Sequence, residues 1–126
     1  MIKMWTKNAD ETLAKLKQML RKLKEYLYFI IVREGGRPRP TRKSRLRYFY
    51  RWASSVPENV IDNIRKALYY AHKDKHDIEV IIFGFDNEKK PYLIVMSTGF
   101  DDSLDRILKL KMYRIEEVRG NERNGD

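Results

Sequence analysis

The sequence predicts an α+β fold: a single two-layer domain in which a mostly antiparallel sheet of about four strands carries three helices, packed mainly on one face. Three observations predict it. Leucines recur at helical spacing near the start, two strongly β-forming runs flank a short polar turn in the second half, and the elements follow one another as helix, strand, basic loop, strand, helix, hairpin, helix. The chain has 126 residues, 42% of them hydrophobic, which suffices for one ordinary core but not for two. The domain is expected over 1–118, with a basic loop at 33–45 inside it and a flexible C-terminal tail at 119–126.

Thr6, Asn8 and Asp10 offer helix caps, and Leu13, Leu16, Leu20, Leu23, Leu27 and Ile30 follow at alternating spacings of three and four. This is an amphipathic helix with a narrow apolar stripe, suited to packing on a sheet or to a two-helix seam between copies of the chain. Acids at Asp10 and Glu11 and bases at Lys22 and Lys24 suit the helix dipole, so its charged face needs no ligand to explain it. From Tyr26 the run YLYFIIV turns aromatic and β-branched, which favours a buried strand, although the helical spacing could extend to Val32. Gly35-Gly36 and the prolines Pro38 and Pro40 break the chain into a loop. In RLRYFYRW, Leu46, Tyr48, Tyr50 and Trp52 alternate with Arg45, Arg47, Phe49 and Arg51, as in a strand with one aromatic and one mostly basic face; a short helix is the competing reading.

Ser54 or Ser55 can cap a second helix with Pro57 in its first turn, its buried face formed by Val60, Ile61, Ile64, Ala67, Leu68 and Ala71 and its end near Lys73. IEVIIFGF and PYLIVMST, separated by DNEKK, form an antiparallel hairpin of the inner sheet. Gly84 and Gly99 are assigned to a bulge and a turn. Asp101, Asp102 or Ser103 can cap a third helix starting at Leu104, after which LKMYRIEEV continues as helix or turns into a last strand.

The net charge of +9 is concentrated. Residues 1–32 hold seven bases and three acids, 33–52 eight and one, 53–77 four and four, and 78–126 eight and ten. The segment from Arg33 to Trp52 therefore carries +7, which predicts one basic face and a polyanionic partner. Arg33, Arg37, Arg39, Arg42, Lys43, Arg45, Arg47 and Arg51 are mostly arginine, whose planar fork grips phosphate oxygens in pairs. Tyr48, Tyr50 and Trp52 lie beside them, where exposed rings could stack on single-stranded bases; if the flanking runs pair, the loop becomes a basic finger able to enter a duplex groove. The competing reading makes these aromatics core and the arginines a solvated loop, and such a loop also suits an acidic protein.

Other chemistry is thinly supported. His72 and His76 stand four apart with Asp74 and Asp77 nearby but without an evident third metal ligand, so a helix end explains them. Glu79, Asp86, Glu88 and Lys90 resemble the carboxylate and lysine set of restriction-type nucleases, but Glu88 and Lys90 fall in a turn instead of on a strand. Asp101, Asp102 and Asp105 sit where a helix start wants acids. Locally the hairpin 78–99 resembles the strand-turn-strand of proteasome-type subunits, without their amino-terminal threonine, and neither fold nor activity is carried over. There is no cysteine and no nucleotide-binding glycine loop, so no cofactor and no metal are expected.

The longest apolar run is far short of the roughly 20 residues of a membrane span, and the start MIKMWTK lacks the core of a signal peptide, which places the protein in the cytoplasm without a membrane partner. Abundant Lys, Arg, Glu and Ile with a single Gln lean toward a thermophile, against which stand six Asn. The expected function is a small nucleic-acid-binding protein, DNA or RNA, using the Arg-rich loop and adjacent aromatics, and more a binding protein than an enzyme. The alternatives are a protein-interaction or inhibitor module, homodimeric through the leucine-striped helix, and a small metal-independent ribonuclease using His72 or His76.

Overall fold

The computed structural model describes residues 6–34, 46–52 and 56–116; for Glu34 and 46–52 it describes the backbone alone. The order is α1 (Ala9–Lys22), β1 (Glu25–Glu34), β2 (Leu46–Trp52), α2 (Pro57–Lys73), β3 (His76–Phe85), β4 (Pro91–Phe100) and β5 (Arg106–Arg114). Every neighbouring pair is antiparallel, and the strands lie in the order β2-β1-β3-β4-β5. Among the described residues the architecture is an α+β open sheet with two helices on one face. No helix among the described residues is long and apolar enough to cross a membrane.

The leucine stripe divides between two elements. Leu13, Leu16 and Leu20 are buried on α1, which stops at Lys22 because Leu23 turns extended (φ −92°, ψ 132°) and Lys24 N–H donates to Phe85 O at 2.7 Å, starting the sheet. Beyond that point period two takes over: Tyr28, Ile30 and Val32 are buried toward the helices, while Leu27, in step with the helical spacing, is 54% exposed on the other face. The β-branched and aromatic content of 26–32 outweighs the continued leucine spacing.

On α2, Pro57 occupies the first turn, where its missing N–H costs nothing, and the residue before it is Val56. Val60, Ile61, Ile64, Ala67, Leu68 and Ala71 are its buried face, as their spacing predicts. These side chains meet Ile78, Val80 and Ile82 of β3 and Ile94 and Met96 of β4 in one core cluster. Each fully buried Ile or Leu contributes about 1.5–3 kcal/mol of transfer free energy. The helices run antiparallel: Asp10 of α1 accepts from Arg65 at 2.8 Å, and Arg21 near its end donates to Glu58 at 3.2 Å. These exposed pairs orient the helices more than they stabilise them.

The third helix expected from Leu104 is not formed; of the two readings of LKMYRIEEV the last strand holds, as β5. Leu108, Leu110 and Met112 alternate with Lys109, Lys111 and Tyr113, and period two fits a strand beside β4 better than any helical stripe. The acids expected to cap a helix instead build the β4–β5 turn. Asp101 Oδ1 accepts from the backbone of Ser103 and Asp105, each at 2.9 Å, and Leu104 takes φ 64°. The β3–β4 turn repeats this plan: Asp86 Oδ1 accepts from the backbone of Glu88 (2.8 Å) and Lys90 (2.9 Å), with Lys89 at φ 63°.

Gly84 and Gly99 serve neither a bulge nor a turn. Both lie within strands, Gly84 opposite Tyr26 and Tyr92 and Gly99 opposite Ile107. A Cβ on Gly84 would stand 2.6 Å from Glu25 O and from Tyr26 Cβ, so the bare backbone admits the close approach of β1 to β3 at this point. Asn8 directly precedes α1, yet its side chain caps the sheet, not the helix: Nδ2 donates to Leu108 O at 2.9 Å and Oδ1 accepts from Leu108 N at 2.8 Å. With Lys7 N–H donating to Arg106 O at 3.0 Å, the outer edge of β5 is met along its first half.

Candidate nucleic-acid interface

Pairing of β1 with β2 brings Arg33 opposite Leu46, so the intervening basic segment has its two ends held side by side at one end of the sheet. Arg33 itself is exposed and lies 3.4 Å from Glu79 Oε1. Arg37, Arg39, Arg42, Lys43 and Arg45 lie outside the described residues, as does the expected tail at 119–126. Arg47 falls at a register shift between the pairs Val32–Tyr48 and Arg33–Leu46, which bends an edge strand locally. Tyr48, Tyr50 and Trp52 hold register positions opposite Val32, Ile30 and Tyr28, the helix-side positions of β1. Arg51 and Phe49 stand opposite Phe29 and Ile31, on the other face.

That other face is the feature the sequence reading missed. No helix among the described residues covers it, yet its registers are rich in apolar side chains. One row across the sheet runs Arg51, Phe29, Ile81, Val95 and Lys111, and the next runs Leu27, Phe83, Leu93 and Tyr113. Phe83 and Phe85 meet edge to face with centroids 5.2 Å apart. Leu27 and Tyr113 are about half exposed, while Lys109 and Lys111 are exposed along the β5 rim. Lys109 lies over Gly99, where a Cβ would stand 3.0 Å from its Cε. A signal for this face was present: IEVIIFGF is apolar at nearly every position, whereas a strand with one wet face ordinarily alternates.

The end of the sheet nearest the basic segment also gathers His76, Asp77, Thr98, Phe100 and Arg106. Arg106 donates to Asp77 Oδ1 at 3.0 Å and to His76 O at 3.4 Å, and its guanidinium lies 5.4 Å from the centroid of the Phe100 ring. Thr98 Oγ1 donates to Asp77 at 3.2 Å and accepts from Ile78 N at 3.1 Å. These contacts commit Asp77 and Arg106 to holding β3 against β5 and β4. His72 lies near the end of α2 while His76 opens β3, so the two do not share a helix face. Partial burial, and after it the charge of Arg106, lowers the His72 pKa from the ordinary imidazole value and favours the neutral ring at neutral pH. No group of three metal-ligating side chains occurs among the described residues.

Asp86, the acid in the nuclease-like set, is occupied by its turn. The Lys90 N–H foremost holds its carboxyl below the usual range against the opposing effect of burial, with the Glu88 N–H and the Tyr92 side chain adding to the lowering. Lys90 Nζ pairs with Glu88 at 3.3 Å. These groups close a hairpin and leave no carboxylate pair on a strand for a cation. Comparison of the chain with protein-family models, with curated proteins and with solved structures found no match.

Proposed function

We propose that this protein binds nucleic acid, gripping phosphates with the arginine-rich segment that joins β1 and β2. The observation that carries the reading is the concentration of +7 out of +9 between Arg33 and Trp52, in a segment whose ends are pinned by the Arg33–Leu46 pairing. Like charges gathered in one connection repel one another, and a polyanion relieves that repulsion while releasing its own counterions. Arg37, Arg39, Arg42, Lys43, Arg45 and Arg47 are the phosphate ligands in this reading, with Arg33 and Arg51 at its margins. The register of β2 sets Tyr48, Tyr50 and Trp52 opposite helix-side positions, so base stacking is assigned below to the opposite face.

Fluorescence anisotropy with labelled oligonucleotides at two salt concentrations tests the reading. Binding should weaken steeply with salt, and each alanine at Arg37, Arg39 or Arg42 should reduce the slope of log K against log salt by about 0.7 for a single strand or about 0.9 for a duplex. Salt-sensitive binding that survives all three alanines together would remove the site from this segment. An unbound wild-type protein at low salt would remove the function.

A further inference from the structure

We propose that the helix-free face of the sheet is a stacking platform for single-stranded nucleic acid, with Phe29, Phe83, Phe85 and Tyr113 beneath the bases and Lys109 and Lys111 along the phosphate track. The inference rests on the nucleic-acid reading above and narrows it to unpaired strands. Its first support is the kind of side chain: flat rings on three strands, Phe29 on β1, Phe83 and Phe85 on β3 and Tyr113 on β5, beside the exposed lysines of the β5 rim. Aromatic rings beside a cationic track bind bases with little regard to sequence, because every base offers a π-face. Tyr113 is half exposed and the three phenylalanines are partly buried, and a duplex, which keeps its bases stacked inside, gains nothing from such rings.

The second support is the charge balance, which decides between occupants. A second copy of this chain would also cover the apolar rows, but it brings another +9 to an interface already flanked by lysines. A polyanionic strand carries the complementary charge. The spacing also suits an extended chain: Phe83 and Tyr113 are separated by Leu93 on the intervening strand, about 10 Å at the usual strand separation.

The experiment compares a twelve-nucleotide oligothymidylate, the matching oligouridylate and a mixed-sequence duplex, each titrated by anisotropy against wild type, Phe83→Leu, Tyr113→Leu and the double variant. Leucine keeps the apolar bulk and removes the ring; circular dichroism confirms folding, and Tyr113, half exposed on the edge strand, provides a variant with little bearing on the core. Single strands should bind wild type more tightly than the duplex, and each leucine should weaken single-strand binding about tenfold while leaving the duplex unchanged. Equal loss for DNA and RNA supports stacking in general, and a larger loss for one sugar supports it and names the strand. Single-strand binding that is unchanged in the double variant but lost in the Arg37, Arg39 and Arg42 alanines overturns the platform and leaves the phosphate site standing. A sedimentation mass of two chains that falls to one in the double variant assigns the face to self-association and overturns it as well. Absence of binding to any oligonucleotide at low salt defeats the functional reading itself.

Discussion

Gly84 shows how one missing side chain permits a local geometry. Its hypothetical Cβ meets backbone and a neighbouring Cβ, neither of which can turn away, and Leu23 Cδ1 closes the third side at 3.0 Å. Gly84→Ala should therefore destabilise the protein by about 1–3 kcal/mol, read from the midpoint of urea unfolding. Leu104 presents the opposite case. It holds φ 64° with 78% of its surface exposed, so it bears the left-handed steric cost without packing in return. Leu104→Gly should raise stability by about 1 kcal/mol, seen as a higher Tm. Its neighbour Asp101 is held below the usual carboxylate range by the Asp105 N–H first and then, against burial, by Lys7 and the Ser103 N–H. A lowered folded pKa means stability that is present above the unfolded value near 3.8 and is lost as pH falls through the folded one. Wild type should exceed Asp101→Asn in Tm at neutral pH, and the gap should close below that value.

Among elements, those governed by one dominant period were legible in advance. Helix α2 and the β3–β4 hairpin follow from their spacing and turn residues, and over Leu46–Trp52 the strand reading prevails over the short helix. Helix α1 was legible at its start but not at its end, because Leu23, Leu27 and Ile30 satisfy a helical spacing while belonging to a connection and a strand. β5 was obscured differently. An acidic cluster before an apolar run is as good a turn signal as a cap signal, and only the neighbouring β4 edge decides between them. Asn8 belongs to the same lesson, since a side chain expected to cap a helix serves a strand a hundred residues away. Asn8→Ala should cost about 1–3 kcal/mol for its two part-buried hydrogen bonds, and the Leu108 amide should exchange faster in hydrogen-exchange measurements.

For the whole molecule, charge and apolarity are arranged on different axes. The basic excess lies between Arg33 and Trp52 in the sequence, whereas the apolar rows without a helix over them among the described residues lie on one side of the sheet. Composition by segment revealed the first, since charge is additive along a chain. The second required knowing that two helices, not three, are present among the described residues and that both lie on the same side. A polyanion meets both features at once only if it runs from the connection onto the sheet. A variant lacking the three loop arginines should lose on-rate and salt dependence chiefly, whereas the ring variants should release a bound strand faster; stopped-flow kinetics separates the two.

The Asn8 contact also constrains the order in which the protein can be assembled. Residues emerge from the ribosome in sequence, so α1 is complete while the strand edge that receives Asn8 has yet to be made. Until Leu108 emerges, the helix can pair with α2 through Arg65 and Glu58 but has no anchor at its first residue. Closing so long a loop is a late event in folding, and native closure waits for the last strand. One amide side chain thus acts as the latch between the first helix and the last described strand.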